Sequence, residues 1–147
     1  MIKLALTDLD STLIPVGAPY ASGRTIEAIH RMLDAGLHFG PVTGRVPAAN
    51  GIFIDILPLG WSKGKSVEVL AEHLGIGMDE IAAFGDSEND LSMLGAVTHS
   101  VAVANATPEV KAAARWHIGA CADDAVADAL IDIADAAAAG SMPRFMC

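Results

Sequence analysis

Cysteine is nearly absent: two residues, Cys121 and Cys147, in a chain of 147. Neither has metal-type spacing to a partner, so both are expected to be free thiols in a reducing cytosol. Basic residues are scarce as well, nine Lys and Arg against 18 Asp and Glu, which leaves a formal net charge of −9. Such a surface repels a phosphate backbone, and no run of Lys or Arg offsets it locally, which excludes a nucleic-acid partner. No apolar stretch is long enough to span a bilayer, and Lys3 is followed at once by Asp8 and Asp10, unlike a signal peptide. No membrane association is expected, and the protein reads as soluble and cytoplasmic. His30, His38, His73, His99 and His117 are scattered without metal spacing and read as structural or exposed. Internal repeats are absent, and the only biased segments are an Ala-rich C-terminal helix and a loose, mobile tail from Ser141 that carries Cys147.

What the chain has in quantity is apolar residues, 52% of the total, enough for the core of one domain. Short β-type runs ("IKLALTD", "LHFGPVTG", "IAAFGD", "HSVAVANA") alternate with amphipathic segments ("RTIEAIHRMLDAG", "KSVEVLAEHLG", "TPEVKAAARW", "DDAVADALIDIADAAAAG"). That alternation predicts an α/β fold: a three-layer, Rossmann-like parallel sheet with helices on both faces. Ile26, Ile29 and Leu33 fall at helical spacing ahead of Gly36 as a C-terminal cap, and Val67, Leu70, Ala71 and Leu74 repeat the design ahead of Gly75. Thr107 and Pro108 mark a further helix start, and Val126, Leu130 and Ile133 form the packing stripe of the last helix.

Three apolar runs stop at polar groups: "LALTDLD" at Asp8 and Asp10, "HFGPVTG" at Thr43, and "IAAFGD" at Asp86. In an open parallel sheet the carboxyl ends of the strands line one crevice, where ligands bind. "WSKGK" adds Lys63 and Lys65 at the start of the next helix. Crowded carboxylates repel unless one is protonated or a cation is bound, and an all-oxygen site suits Mg²⁺. Because Mg²⁺ keeps few carboxylates and completes its shell with water and phosphate oxygens, the expected partner is a small phosphorylated metabolite. Asp8 is then placed to attack phosphorus, with Thr43 and a lysine on the equatorial oxygens. Each element also has a plain reading: Asp10 and Ser11 as turn formers, Ser87 and Asp90 as a capping box, Lys65 as a solvated helix residue. It is the coincidence at successive strand ends that favours a site.

In order and spacing, "DLDSTL", "VTGR", "SKGKSVEVLAEHLGI" and "FGDSENDLSML" resemble the four motifs of the haloacid dehalogenase superfamily, specifically its Cof-type phosphatases; "VAVANATPEVKAAA" is similar to the same branch. The resemblance implies a phosphatase that works through an aspartyl-phosphate. Asp8 matches the nucleophile and Asp10 the general acid and base. Thr43, with Gly44 after it, and Lys63 match the phosphate-binding groups, Lys63 being preferred to Lys65 because the family pattern reads Lys-Gly. Asp86 matches the Mg²⁺ ligand, joined by Asp8 and the backbone carbonyl of Asp10, with Asn89 and Asp90 in support. Ser11 stands where the branch usually has Gly.

One region departs from that pattern. Cof-type enzymes insert a cap domain between the Thr and Lys motifs, whereas here residues 46–62 form only a short bridge. The expected organisation is therefore a single catalytic core over residues 1–140 without a cap, then a tail over residues 141–147. A homo-oligomer through residues 46–62 is expected to cover the apolar residues of the bridge. Two alternatives belong to other functional classes. One is a cap-deleted core that binds Mg²⁺ and phosphate with little turnover, as a structural unit. The other is a receiver-like phospho-acceptor, which motif order disfavours because Thr43 and Lys63 precede Asp86.

Overall fold

Three apolar residues and a threonine, Leu4–Thr7, form strand β1 with all four side chains buried, and the rest of the sheet is laid down around it. The computed structural model describes residues 1–43 and 60–147, so Gly44 and most of the expected bridge, residues 46–59, lie outside the described residues. After β1 come helix α1 (Gly23–Asp34), strand β2 (His38–Pro41), helix α2 (Lys63–Leu74), strand β3 (Ile81–Gly85) and helix α3 (Leu91–Ala96). Strand β4 (His99–Ala102), helix α4 (Pro108–Ala113), strand β5 (Trp116–His117) and helix α5 (Ala125–Ala139) complete the chain. Among the described residues the sheet is five-stranded, wholly parallel and ordered β2-β1-β3-β4-β5. Helix α1 packs with α5, and α2 with α3, which gives the expected three layers. The strand order reverses between β1 and β3, and that topological switch point is where doubly wound sheets open a ligand crevice.

Burial explains why these segments are strands. Every residue of β3 is buried, as expected of a central parallel strand covered on both faces. Phe84 in β3, Leu4 and Leu6 in β1, and Met32, Met93, Leu130 and Ile133 from the helices are among its largest fully buried side chains. Each contributes about 1.5–3 kcal/mol by leaving water. The helix ends follow local rules. Gly36 and Gly75, at φ of +76° and +65°, close α1 and α2 in the left-handed conformation. The amides that follow return to the last turn, Leu37 N to Met32 O at 3.1 Å and Ile76 N to Ala71 O at 3.0 Å. Thr107 caps α4 with Pro108 in its first turn, and Val126, Leu130 and Ile133 are buried along α5.

Two expectations need correction. The buried face of α1 is Thr25, Ala28 and Met32; Ile29 is half-buried, while Ile26 and Leu33 are 48% and 51% exposed. Ile29 borders both stripes, so apolar spacing alone does not fix which one turns inward, and Met32 takes the core position. The C-terminal segment is docked rather than loose. The buried carboxylate of Asp132 in α5 accepts from Arg144 Nε at 2.7 Å and from Phe145 N at 3.2 Å. Met146 is 5% exposed, and the Phe145 ring lies 6.3 Å from that of Phe84. One buried acceptor thus organises a tail whose composition reads as mobile. Among the described residues, no helix is long and apolar enough to cross a membrane.

Candidate active site

Strand β1 delivers Asp8. Its backbone amide continues the ladder by bonding Phe84 O at 3.0 Å, its carbonyl receives the Thr7 hydroxyl at 2.7 Å, and the residue is 6% exposed. The chain then closes on itself: Leu13 N and Ile14 N both reach Leu9 O, at 3.0 and 2.8 Å, and Ser11 N reaches Ile14 O at 2.9 Å. Asp10 lies half-buried in this loop. Strand β3 ends at Gly85, so Asp86 emerges beside Asp8 at the switch point, half-buried, and Thr12 Oγ1 donates to Asp86 Oδ1 at 2.8 Å.

Lys63 is the first residue of α2, after Ser62 as N-cap, and its side chain is 8% exposed. Its ammonium lies between two carboxylates, 2.6 Å from Asp8 Oδ1 and 2.5 Å from Asp90 Oδ1. The other oxygen of fully buried Asp90 accepts from Asp86 N at 2.9 Å and Ser87 N at 3.2 Å. Asp90 therefore both caps the turn after β3 and holds the lysine, so its capping role and its place in the site coexist. Oxygens of Asp8, Asp86 and Asp90 all lie within 4.8 Å of one another.

The electrostatics follow from this crowding. Burial raises the Asp8 carboxyl above its ordinary value and nearby Asp90 adds to that, against the hydrogen bond from Lys63. Asp86 is raised as well, mainly by burial, with the Thr12 hydroxyl opposing and the charges of Asp90 and Asp10 reinforcing. Burial alone would pull the Lys63 ammonium down, but its hydrogen bonds to Asp8 and Asp90 outweigh that and hold it above the usual lysine value. Cys121 stands near this charge, and burial together with Asp86 pushes its thiol up to about 11, which leaves no thiolate nucleophile at neutral pH.

Of the residues singled out from the sequence, Asp8, Asp86, Lys63 and Asp90 meet directly. Thr43 follows β2, half-buried, at the edge where Asp8 emerges, next to Val42, whose amide bonds Thr7 O at 2.8 Å. Asn89 is exposed and accepts from Ser87 Oγ at 2.6 Å. Lys65 is exposed and pairs with Glu68 at 2.9 Å. Asp90 sits more centrally than sequence reasoning placed it, and Thr12 was missed. A hydroxyl two residues past Asp10 was its one available signal.

Close backbone contact fixes the lysine. A Cβ on Gly64 would lie 2.3 Å from Ser92 O, so only glycine lets the start of α2 approach α3 this closely. Gly64→Ala should therefore cost about 1–3 kcal/mol in urea denaturation. Gly95→Ala, where nothing lies within 4 Å, should gain up to about 1 kcal/mol from helix propensity. Equal effects at the two positions would count against the contact.

The order of the sheet and the lysine-bridged carboxylates at its switch point define a doubly wound α/β protein with a buried acidic centre. Residues 46–130, more than half of the chain, match the family described as haloacid dehalogenase-like hydrolase, and the chain belongs to that family, in keeping with its Cof-type motifs. Over 76 residues, 50% of the chain, it is 43% identical to HMP-PP phosphatase of Serratia proteamaculans, 28% of whose length is covered. Over 69 residues, 47% of the chain, it is 45% identical to phosphoglycolate phosphatase of Methanothermobacter thermautotrophicus, 31% of whose length is covered. The matched stretches thus span less than a third of either relative. A haloacid dehalogenase-like hydrolase from Bacteroides thetaiotaomicron has the same fold, with a TM-score of 0.79 at 17% identity over 88% of this chain and 98% of that one.

Proposed function

We propose that this chain is a Mg²⁺-dependent phosphatase that hydrolyses small phosphate monoesters in the cytoplasm through an aspartyl-phosphate on Asp8. The observation that carries the reading is the Lys63 ammonium held between Asp8 and Asp90, with Asp86 within the same group of carboxylates. Family membership and the phosphatases among the relatives support it.

The donor set fits a hard divalent cation: three carboxylates face one ammonium, and two of them are raised above their ordinary values. Asp90 spends one oxygen on Lys63 and the other on two amides, so Asp8 and Asp86 are the side chains to hold Mg²⁺, with the Asp10 carbonyl joining them as the family resemblance implies. When bound, the ion neutralises phosphoryl charge. The chain's own residues do the rest. An Asp8 oxygen bonds to phosphorus as the bond from phosphorus to the leaving oxygen breaks, and Asp10 gives that oxygen its proton. Asp10, now a carboxylate, takes a proton from water, whose oxygen attacks the aspartyl-phosphate and releases inorganic phosphate with Asp8 restored. Lys63 and Thr43 hold the equatorial oxygens, and Asp90 holds Lys63 in place.

Only residues 44–62 separate Thr43 from Lys63, too few for a cap domain, and the described core is proposed to act without one. Such a site loses contacts to the part of the substrate that does not react, so high KM and weak discrimination among small esters are expected. A second copy covering residues 46–62 is the proposed oligomer, and Trp61 at its edge is 40% exposed.

The test is turnover of a panel of phosphate esters with Mg²⁺ and with EDTA; release of phosphate that is indifferent to EDTA rules the reading out. Metal should also show without turnover. Raised carboxyls such as Asp8 and Asp86 lend stability that is fully present below their ordinary value of 3.8 and is lost as pH rises through the raised values. Mg²⁺ relieves that loss, so at a fixed concentration about ten times its Kd at pH 7.5 it should raise Tm by about 3–6 °C at that pH. The gain should be smaller at pH 5. A gain that shrinks as pH rises contradicts the carboxylate site.

A further inference from the structure

We propose that Asn105 is a positioning residue for Asp10, acting as a two-sided amide clamp on Ser11; Asp10's part in the chemistry rests on the phosphatase reading above. Residues 9–14 form a small closed ring through the bonds of Leu13, Ile14 and Ser11, and Ser11 within it stands at φ +61°. A serine adopts that left-handed conformation at a cost, which a contact from outside the ring helps to offset.

The holder comes from 94 residues further along the chain. Asn105 Nδ2 donates to Ser11 O at 2.7 Å, and Asn105 Oδ1 accepts from Cys121 N at 2.8 Å. One partner is a carbonyl and the other an N–H, so they fix the orientation of the amide, and a carboxylate in its place could satisfy only the second. The turn that carries Asn105 is itself tied down. Ala104 N bonds Gly119 O at 3.0 Å, Ala106 N bonds Val103 O at 2.9 Å, and Thr107 N bonds Asp86 O at 2.9 Å. Asn105 thus joins the loop after β1 to the turn at Cys121, and Thr107, two residues on, ties the same turn to the loop carrying Asp86.

Asp10 sits beside this anchor. On its C-terminal side Ser11 is clamped by Asn105, and one residue on Thr12 is fixed to Asp86 at 2.8 Å. These two anchors set the course of the backbone from which the Asp10 side chain projects. Asn105 is exposed, so its hydrogen bonds compete with water and add little to global stability, but they oppose local opening of the ring at residues 9–14. Its contribution should appear in the placement of Asp10 instead.

The experiment compares Asn105→Ala and Asn105→Asp with the unaltered chain by amide hydrogen exchange without metal or substrate, and by Mg²⁺-loaded turnover. Both variants should speed exchange at Leu13 and Ile14 by about tenfold. Both should also lower kcat by about tenfold on an alkyl phosphate but less than about threefold on p-nitrophenyl phosphate, whose leaving group needs little proton transfer. Asp10→Asn should show the same split in larger measure. Equal losses on the two esters, unchanged exchange, or an Asn105→Asp variant that matches the unaltered chain each overturn the proposal. A chain inert on both esters sinks the phosphatase reading and Asp10's part with it, while faster exchange in the variants would still uphold the clamp on Ser11.

Discussion

Asp8→Asn is expected to reduce turnover by at least about 10⁴-fold, the scale seen when a nucleophile is removed, while leaving the fold intact. An amide oxygen is too poor a nucleophile toward phosphorus, and losing the charge also takes away one of the two side chains proposed to hold the metal. The fold should survive because the change is isosteric and Lys63 keeps Asp90 at 2.5 Å. It also removes a buried charge whose carboxyl is already raised above its ordinary value, so the variant should melt within a few degrees of the parent at neutral pH. Steady-state phosphate release and a thermal melt check both halves. Turnover within tenfold of the parent would reject Asp8 as the attacking group. A collapsed melt would show that the pair with Lys63 is needed for folding.

The parts of the fold that were legible in the sequence are those specified locally. Gly36, Gly75 and Thr107 mark helix ends because capping involves only neighbouring residues, and the apolar run through Leu4–Thr7 predicts a buried strand by itself. The stripe on α1 was misread because Ile26, Ile29 and Leu33 lie beside the face of Thr25, Ala28 and Met32, and only the packing partners select between them. The same limit explains the tail: Arg144 and Phe145 dock on Asp132, which the sequence presents as one more acidic residue of an Ala-rich helix.

At the site, strand ends could be recognised because a strand that stops at an aspartate carries its own signal. Polar side chains that bond across the sheet do not. Thr12 reaches Asp86 over 74 positions and Asn105 reaches Ser11 over 94, and each reads locally as an ordinary turn residue. Asp90 is the intermediate case. Its spacing from Ser87 shows the cap, but that its other oxygen meets Lys63, 27 residues earlier, is a consequence of α2 packing on α3.

Lys63→Met is expected to destabilise the metal-free chain by about 3–5 kcal/mol at pH 7.5, the usual cost of removing one partner of a buried ion pair. Methionine nearly conserves the length and apolar volume of the stem, so a cavity does not account for the loss. What remains is electrostatic: Asp8 and Asp90, with side chains 9% and 0% exposed, face each other with no cation between them. In melting temperature this amounts to roughly 10 °C or more. The sign of the pH dependence separates this from a packing defect. Without the ammonium the Asp8 carboxyl rises further above its ordinary 3.8, so the deficit is largest at high pH and shrinks as acid protonates Asp8. Mg²⁺ should return part of the stability, because a cation held by Asp8 and Asp86 offsets some of the same charge. It should not return activity, since the equatorial oxygens of the phosphoryl group still lack their ammonium. Melts at pH 5 and pH 7.5, each with and without Mg²⁺, decide the matter. A Lys63→Met chain as stable as the parent at pH 7.5, or a deficit that does not change with pH, would show that the lysine is not what holds these carboxylates together.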